Sequence, residues 1–232
     1  MKKKILFAVL ALVAVSSCTR AFVKKDRSDM AEERRSLTGF ERIELLGSLD
    51  VKYHQADSFS VMVKAPKSVI DLVETRVEGN KLVARIKGSG RAINLRMADG
   101  DDVTVYVTSP DFLGIELKGS GDFDCHGLLD TDTLDVAVQG SGDVEFGRIV
   151  CDRLNVSLTG SGDVQANQVT AQQTEIELVG SGDVELAFDK SGTVVSQLVG
   201  SGDIELRGDI RELKQQKRGS GDINTKRLVV RK

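Results

Sequence analysis

The tetrapeptide Gly-Ser-Gly-Asp opens at Gly119, Gly140, Gly160, Gly180, Gly200 and Gly219, with successive spacings of 21, 20, 20, 20 and 19 residues. Self-similarity at a nearly fixed period means one supersecondary unit stacked on copies of itself. Around each copy the apolar residues alternate. Leu134, Val136 and Val138 precede Gly140, and Val144 and Phe146 follow it; Leu154, Val156 and Leu158 precede Gly160, and Val164 and Ala166 follow it. Ile176, Leu178, Val184 and Leu186 repeat the pattern around Gly180, with Thr174 in the outermost place. Period-two alternation on both sides of a turn signal predicts two half-buried strands joined at the glycines.

Stacked antiparallel hairpins would need a second two-residue turn signal in every copy, and none recurs. The spacing therefore predicts an all-β fold: a single-stranded parallel β-helix with one glycine-rich corner per rung of about 20 residues, right-handed by the usual crossover preference. Glycine suits a corner that needs positive φ or close backbone approach. Serine can bridge neighbouring corners through its hydroxyl, and aspartate can accept amide hydrogen bonds in an Asx-type turn.

Residues 1–17 read as a secretory signal: Lys2, Lys3 and Lys4, then the apolar run Ile5 to Val15, then small residues. That run is shorter than the about 20 residues that span a bilayer. Val15-Ser16-Ser17-Cys18 resembles the bacterial lipobox, which implies a lipidated Cys18 as the mature N-terminus and a membrane partner reached through acyl chains. An ordinary signal peptide with an incidental cysteine is the alternative. Residues 18–38 carry mixed charge without apolar periodicity and read as a solvated tether, with a short helix as the other reading.

The folded domain is expected over 39–232. Residues 39–118 read as irregular rungs capping one end: Gly47-Ser48-Leu49-Asp50 is a degenerate corner, Phe59, Val61 and Val63 continue as a strand, and Pro66 to Glu74 predict one or two helical turns. Leu82, Ala84 and Ile86 lead to another corner at Gly88, after which Ala92 and Asn94 hold the inward places. Residues 119–232 are the regular rungs. The last is polar, with Gln215 and Lys217 where apolar residues stood before, as a solenoid end requires.

Composition narrows the function. Removal of residues 1–17 takes away three lysines and no acid, moving the net charge from -3 to -6, which argues against nucleic acid as a partner. Aromatics are 4% and tryptophan is absent, so a deep glycan groove built on ring stacking is disfavoured. Cys125 falls on an inward place and reads as core, while Cys151 lies in another column, which disfavours a bridge between them.

The sharpest candidate site is the ladder itself: Ser120, Asp122, Ser141, Asp143, Ser161, Asp163, Ser181, Asp183, Ser201, Asp203, Ser220 and Asp222. Its first reading is structural, a hydrogen-bonded ladder; its second is a repetitive ligand surface. Carboxylates stacked at about 4.8 Å repel one another, and calcium at Asp143, Glu145, Asp183, Glu185, Asp203 and Glu205 is the metal alternative. No other cofactor is expected. A ladder repeated in every rung offers no unique acid pair for glycoside cleavage, so no catalytic residue is assigned. His126 beside Cys125 and Asp124 reads as an exposed histidine, because neighbouring strand residues point to opposite faces.

The opening Gly39-Phe40-Glu41-Arg42-Ile43, the strand Leu82-Val83-Ala84-Arg85-Ile86, the turn Ser109-Pro110 and the tandem corners resemble the putative auto-transporter adhesin, head GIN domain family, formerly a domain of unknown function. The resemblance implies an exported β-helical domain on a lipoprotein, in the outer rather than the inner membrane, with a noncatalytic, adhesin-like role and an unidentified glycan or envelope protein as its partner. A periplasm-facing envelope scaffold is the alternative, and a polysaccharide-active enzyme the third. Thr19-Arg20-Ala21-Phe22-Val23-Lys24-Lys25 follows Cys18 where surface-sorted lipoproteins of that group resemble one another in acidic residues. The membrane face therefore stays open, as does the oligomeric state.

Overall fold

The computed structural model describes residues 29–88 and 102–231. The signal segment, Cys18, Ala92 and Asn94 lie outside the described residues. Nine shorter elements precede the repeats: β1 (Met30–Arg35), β2 (Arg42–Gly47), β3 (Asp50–Gln55), β4 (Ser60–Pro66), a single 3-10 turn (Ile70–Leu72), β5 (Val73–Glu78), β6 (Lys81–Ile86), β7 (Thr104–Ser109) and β8 (Gly114–Gly119). The repeats then form β9 (Phe123–Gly140), β10 (Val144–Gly160), β11 (Val164–Gly180), β12 (Val184–Gly200), β13 (Ile204–Gly219) and β14 (Ile223–Val230).

From β9 to β14 every neighbouring pair is parallel, and like positions stack: Val144 lies between Phe123 and Val164, and Gly160 between Gly140 and Gly180. The chain is thus a β-solenoid of parallel rungs about 20 residues long. In β10 the buried residues are Val144 and Phe146, then Ile149 and Cys151, then Leu154, Val156 and Leu158. Period two slips twice, each time by one extra outward residue, and the ladder register shifts near the first of these places between β9 and β10, β11 and β12, and β12 and β13, with a second shift between β11 and β12. Each rung therefore bends between three inward-facing segments and closes around a core of stacked aliphatic side chains.

The N-terminal part is mixed. β2 packs in parallel between β6 and β8, and β3 in parallel between β7 and β9. The rung that comes first in sequence is therefore covered by a later one. β1 and β7 flank β4 antiparallel, and β5 pairs with β6 as an antiparallel hairpin. Two sequence expectations change here. Met30–Arg35, placed in the charged tether, is a strand whose residues pair with Val61 to Pro66, so its alternating charges decorate an edge. Within Pro66 to Glu74 only Ile70–Leu72 is helical, because Val73 already begins β5.

Four aromatic side chains stack in the core where this end meets the regular rungs. Tyr53 stacks on Phe112 at 4.2 Å between centroids, Phe112 on Phe123 at 5.7 Å, and Phe123 meets Phe146 at 5.5 Å. Tyr53 also shares its hydroxyl with Ser109 Oγ at 3.0 Å, so the polar end of the stacked ring is satisfied.

Candidate functional site

The corner is built by close backbone contact. At Gly140 φ is +141° and an added Cβ would overlap the Gly119 carbonyl oxygen; at Gly142 it would overlap that of Gly121. The first glycine's oxygen serves the next rung: Gly140 accepts from the Ser161 amide at 2.8 Å and from the Gly162 amide at 3.3 Å. The N–H that remains at this corner is that of Asp163, and a carboxylate takes it.

Asp163 N–H donates to Asp143 Oδ1 at 2.9 Å, and the same bond recurs from Asp122 to Asp50, Asp143 to Asp122, Asp183 to Asp163, Asp203 to Asp183 and Asp222 to Asp203 at 2.7–3.0 Å. The acceptor thus comes from the neighbouring rung instead of from a local Asx turn. The corner aspartates Asp50, Asp122, Asp143, Asp163, Asp183 and Asp203 thus each complete the backbone ladder through one carboxylate oxygen.

Partial desolvation of this otherwise exposed carboxylate raises the pKa of Asp143, the bond from the Asp163 amide opposes the rise, and the Asp163 and Asp122 charges add to it. Asp50 is raised for the same reasons, burial first, with Asp122, Asp102 and Asp124 as the repelling charges. The serines stand apart from this network. All six are exposed, and one pair, Ser201 and Ser220, approaches within 3.1 Å.

The face ahead of the corners carries a shallow trough of about 280 Å³, with Asp135, Asn155, Ser157, Glu175, Glu177 and Gln197 among its lining. Partial burial would raise Asp135, but the Asn155 amide at 2.7 Å and the Arg42 guanidinium at 2.7 Å outweigh it and hold its carboxyl below the ordinary range. Beyond it lies a network of ion pairs: Lys81 and Lys118 each bridge Glu44 and Glu116. These surfaces can hydrogen-bond a hydroxyl-rich or charged ligand. No aromatic ring lines the trough or joins the ion-pair network, so neither offers a stacking platform.

Among the described residues one group of three metal-ligating side chains converges, Asp124, His126 and Glu145. It shares only Glu145 with the calcium set named from the sequence. Asp124 and His126 are two apart on β9 and share its outward face, a pairing the sequence reading did not make; the third member needed the register, which sets Glu145 opposite Asp124. Cys125 and Cys151 are free and buried.

The fold is shared with solved structures at low identity. A putative adhesin from Bacteroides fragilis NCTC 9343 superimposes with TM-score 0.67 at 22% identity, covering 87% of this chain and 97% of that one. A putative lipid binding protein from Parabacteroides distasonis ATCC 8503 gives 0.59 at 21% identity, with the same coverage of each chain. A putative adhesin from the same organism gives 0.57 at 16%, covering 87% of this chain and 98% of that one. No curated protein matches the sequence. The model of one family matches residues 39–168 and 157–232, so the chain belongs to the putative auto-transporter adhesin, head GIN domain family.

Proposed function

We propose that this protein is a noncatalytic, adhesin-like binding module of the cell envelope, exported as a lipoprotein, held to a membrane by acyl chains on Cys18, and presenting its Ser/Asp corners to a repetitive partner. One observation carries this reading: the corners stack in register along one edge, with every serine and aspartate exposed. Hydroxyl and carboxylate groups then recur at the strand spacing of about 4.8 Å. A polymer, whether an envelope glycan or a repetitive protein, meets many weak identical contacts, and avidity supplies the affinity. Membership of an adhesin-named family supports an exported, noncatalytic role.

The serines are the handle for the test, because the aspartates also hold the backbone. Single, double and triple changes among Ser141→Ala, Ser161→Ala and Ser181→Ala should leave the melting temperature unchanged. Binding to purified envelope polysaccharide and to whole cells should fall step by step. Binding that is unaltered in the triple variant would remove the ladder from the interface. Protease shaving of intact cells places the domain: loss of the C-terminal rungs supports an outward-facing adhesin. Protection until the outer membrane is breached supports the periplasm-facing scaffold instead.

A further inference from the structure

The geometry points to a site for a divalent transition metal of the zinc class, formed by Asp124, His126 and Glu145 across the first two regular rungs. Asp124 and His126 lie two residues apart on β9 and so share its outward face. Glu145 stands opposite Asp124 on β10. One ligand atom from each lies within 4.8 Å of the others, and His126 Nδ1 is 4.0 Å from Glu145 Oε1. Zinc bonds of about 2.0–2.2 Å to nitrogen and oxygen need ligand atoms somewhat closer, within reach of rotation by partly exposed side chains.

Two neighbours favour this place over the general acidity of the surface. The residue two beyond Glu145, in line with His126, is Gly147, whose backbone lies against the His126 carbonyl, so no side chain covers the imidazole from that side. On the following rung Asn167 Nδ2 donates to Glu145 Oε1 at 3.4 Å, an outer partner of the kind that orients a ligating carboxylate. The imidazole decides the metal class, since calcium takes oxygen ligands and nitrogen suits zinc.

The nearest cation is Lys52, with Nζ 4.0 Å from Asp124 Oδ2, and it competes for that carboxylate. His54 sits one rung away against Gly127, outside the group. The two cysteines do not compete. Both are buried on the inward side of their strands, and neither belongs to the converging group.

A metal bound here would tie β9 to β10 beside the shift in their register between Phe146 and Arg148. Zinc titrated calorimetrically into the full chain carrying Cys18→Ser should bind with one site per chain and raise the melting temperature by on the order of 5 °C at saturation. Calcium should not compete at equal concentration. His126→Ala and Glu145→Gln, both at exposed or half-buried positions, should keep the metal-free melting temperature and weaken zinc by at least about tenfold. Lys52→Ala should tighten it, and His54→Ala should leave it unchanged. Absence of zinc binding, equal binding after His126→Ala, or loss of binding on His54→Ala would each overturn the assignment.

Discussion

Asp143 does two opposed things. Its Oδ1 completes the backbone of the next corner, while its charge sits between those of Asp122 and Asp163. Asp143→Ala removes the acceptor of the Asp163 amide and should cost about 1 kcal/mol; Asp143→Asn keeps an acceptor and removes the charge. The folded pKa of Asp143 lies above its ordinary 3.8. Its contribution is therefore fully present below 3.8 and is lost as pH rises through the folded value. Asp143→Asn should match the parent near pH 3 and exceed it in stability at pH 7. A chemical denaturation series over that range checks it, and lower stability of the asparagine variant at pH 7 would count against the charge argument. Asp135 and Glu116, both lowered, act in the other direction: their contribution is present above the unfolded value and lost as pH falls through the folded one. For Glu116 the cause is Lys118 first, then Lys81.

Within a rung, the inward columns tolerate few polar atoms. Thr174 stands in the column of Leu154 and Val194 at 2% exposure, and its hydroxyl has no hydrogen-bond partner. Thr174→Val keeps the shape and removes a buried unsatisfied group, so it should stabilise by about 1 kcal/mol, measured as a higher denaturation midpoint at constant slope. Ser191 is the contrast. Equally buried, it donates to the Val169 carbonyl at 2.9 Å and accepts from the Ala171 amide at 3.1 Å. Ser191→Ala strands both groups and should destabilise by about 1–3 kcal/mol. The strands flanking each glycine corner were legible in the sequence because their alternation is strict. The middle segment of each rung, Ile149 and Cys151 or Val169 and Ala171, was not assigned, because two phase slips hide a period of two.

At the scale of the molecule each rung touches mainly its neighbours, so stability should grade along the stack. β10 to β12 are paired on both sides from end to end, with breaks only at the register shifts, whereas β14 covers only Ile204–Ile210 of β13. The remainder of β13 has an open edge with Gln215 and Lys217 exposed. Native-state hydrogen exchange should show β14 and the second half of β13 opening first and β10 to β12 exchanging last. Uniform protection would mean that the coil unfolds as one unit.

The six corners, their period and the alternation around them determined the parallel solenoid from the sequence alone, because corner geometry and strand pleat act locally and repeat. The family was legible in the same residues. Only the tertiary structure decided that the β6/β7 rung covers the β2/β3 rung, that Met30–Arg35 closes an edge, and that the corner aspartates up to Asp203 each serve the rung beyond their own. It also decided that Glu145 meets Asp124 and His126. These are contacts between residues about 20 to 70 apart in the chain, and their partners are set by stacking register, which a local pattern does not encode.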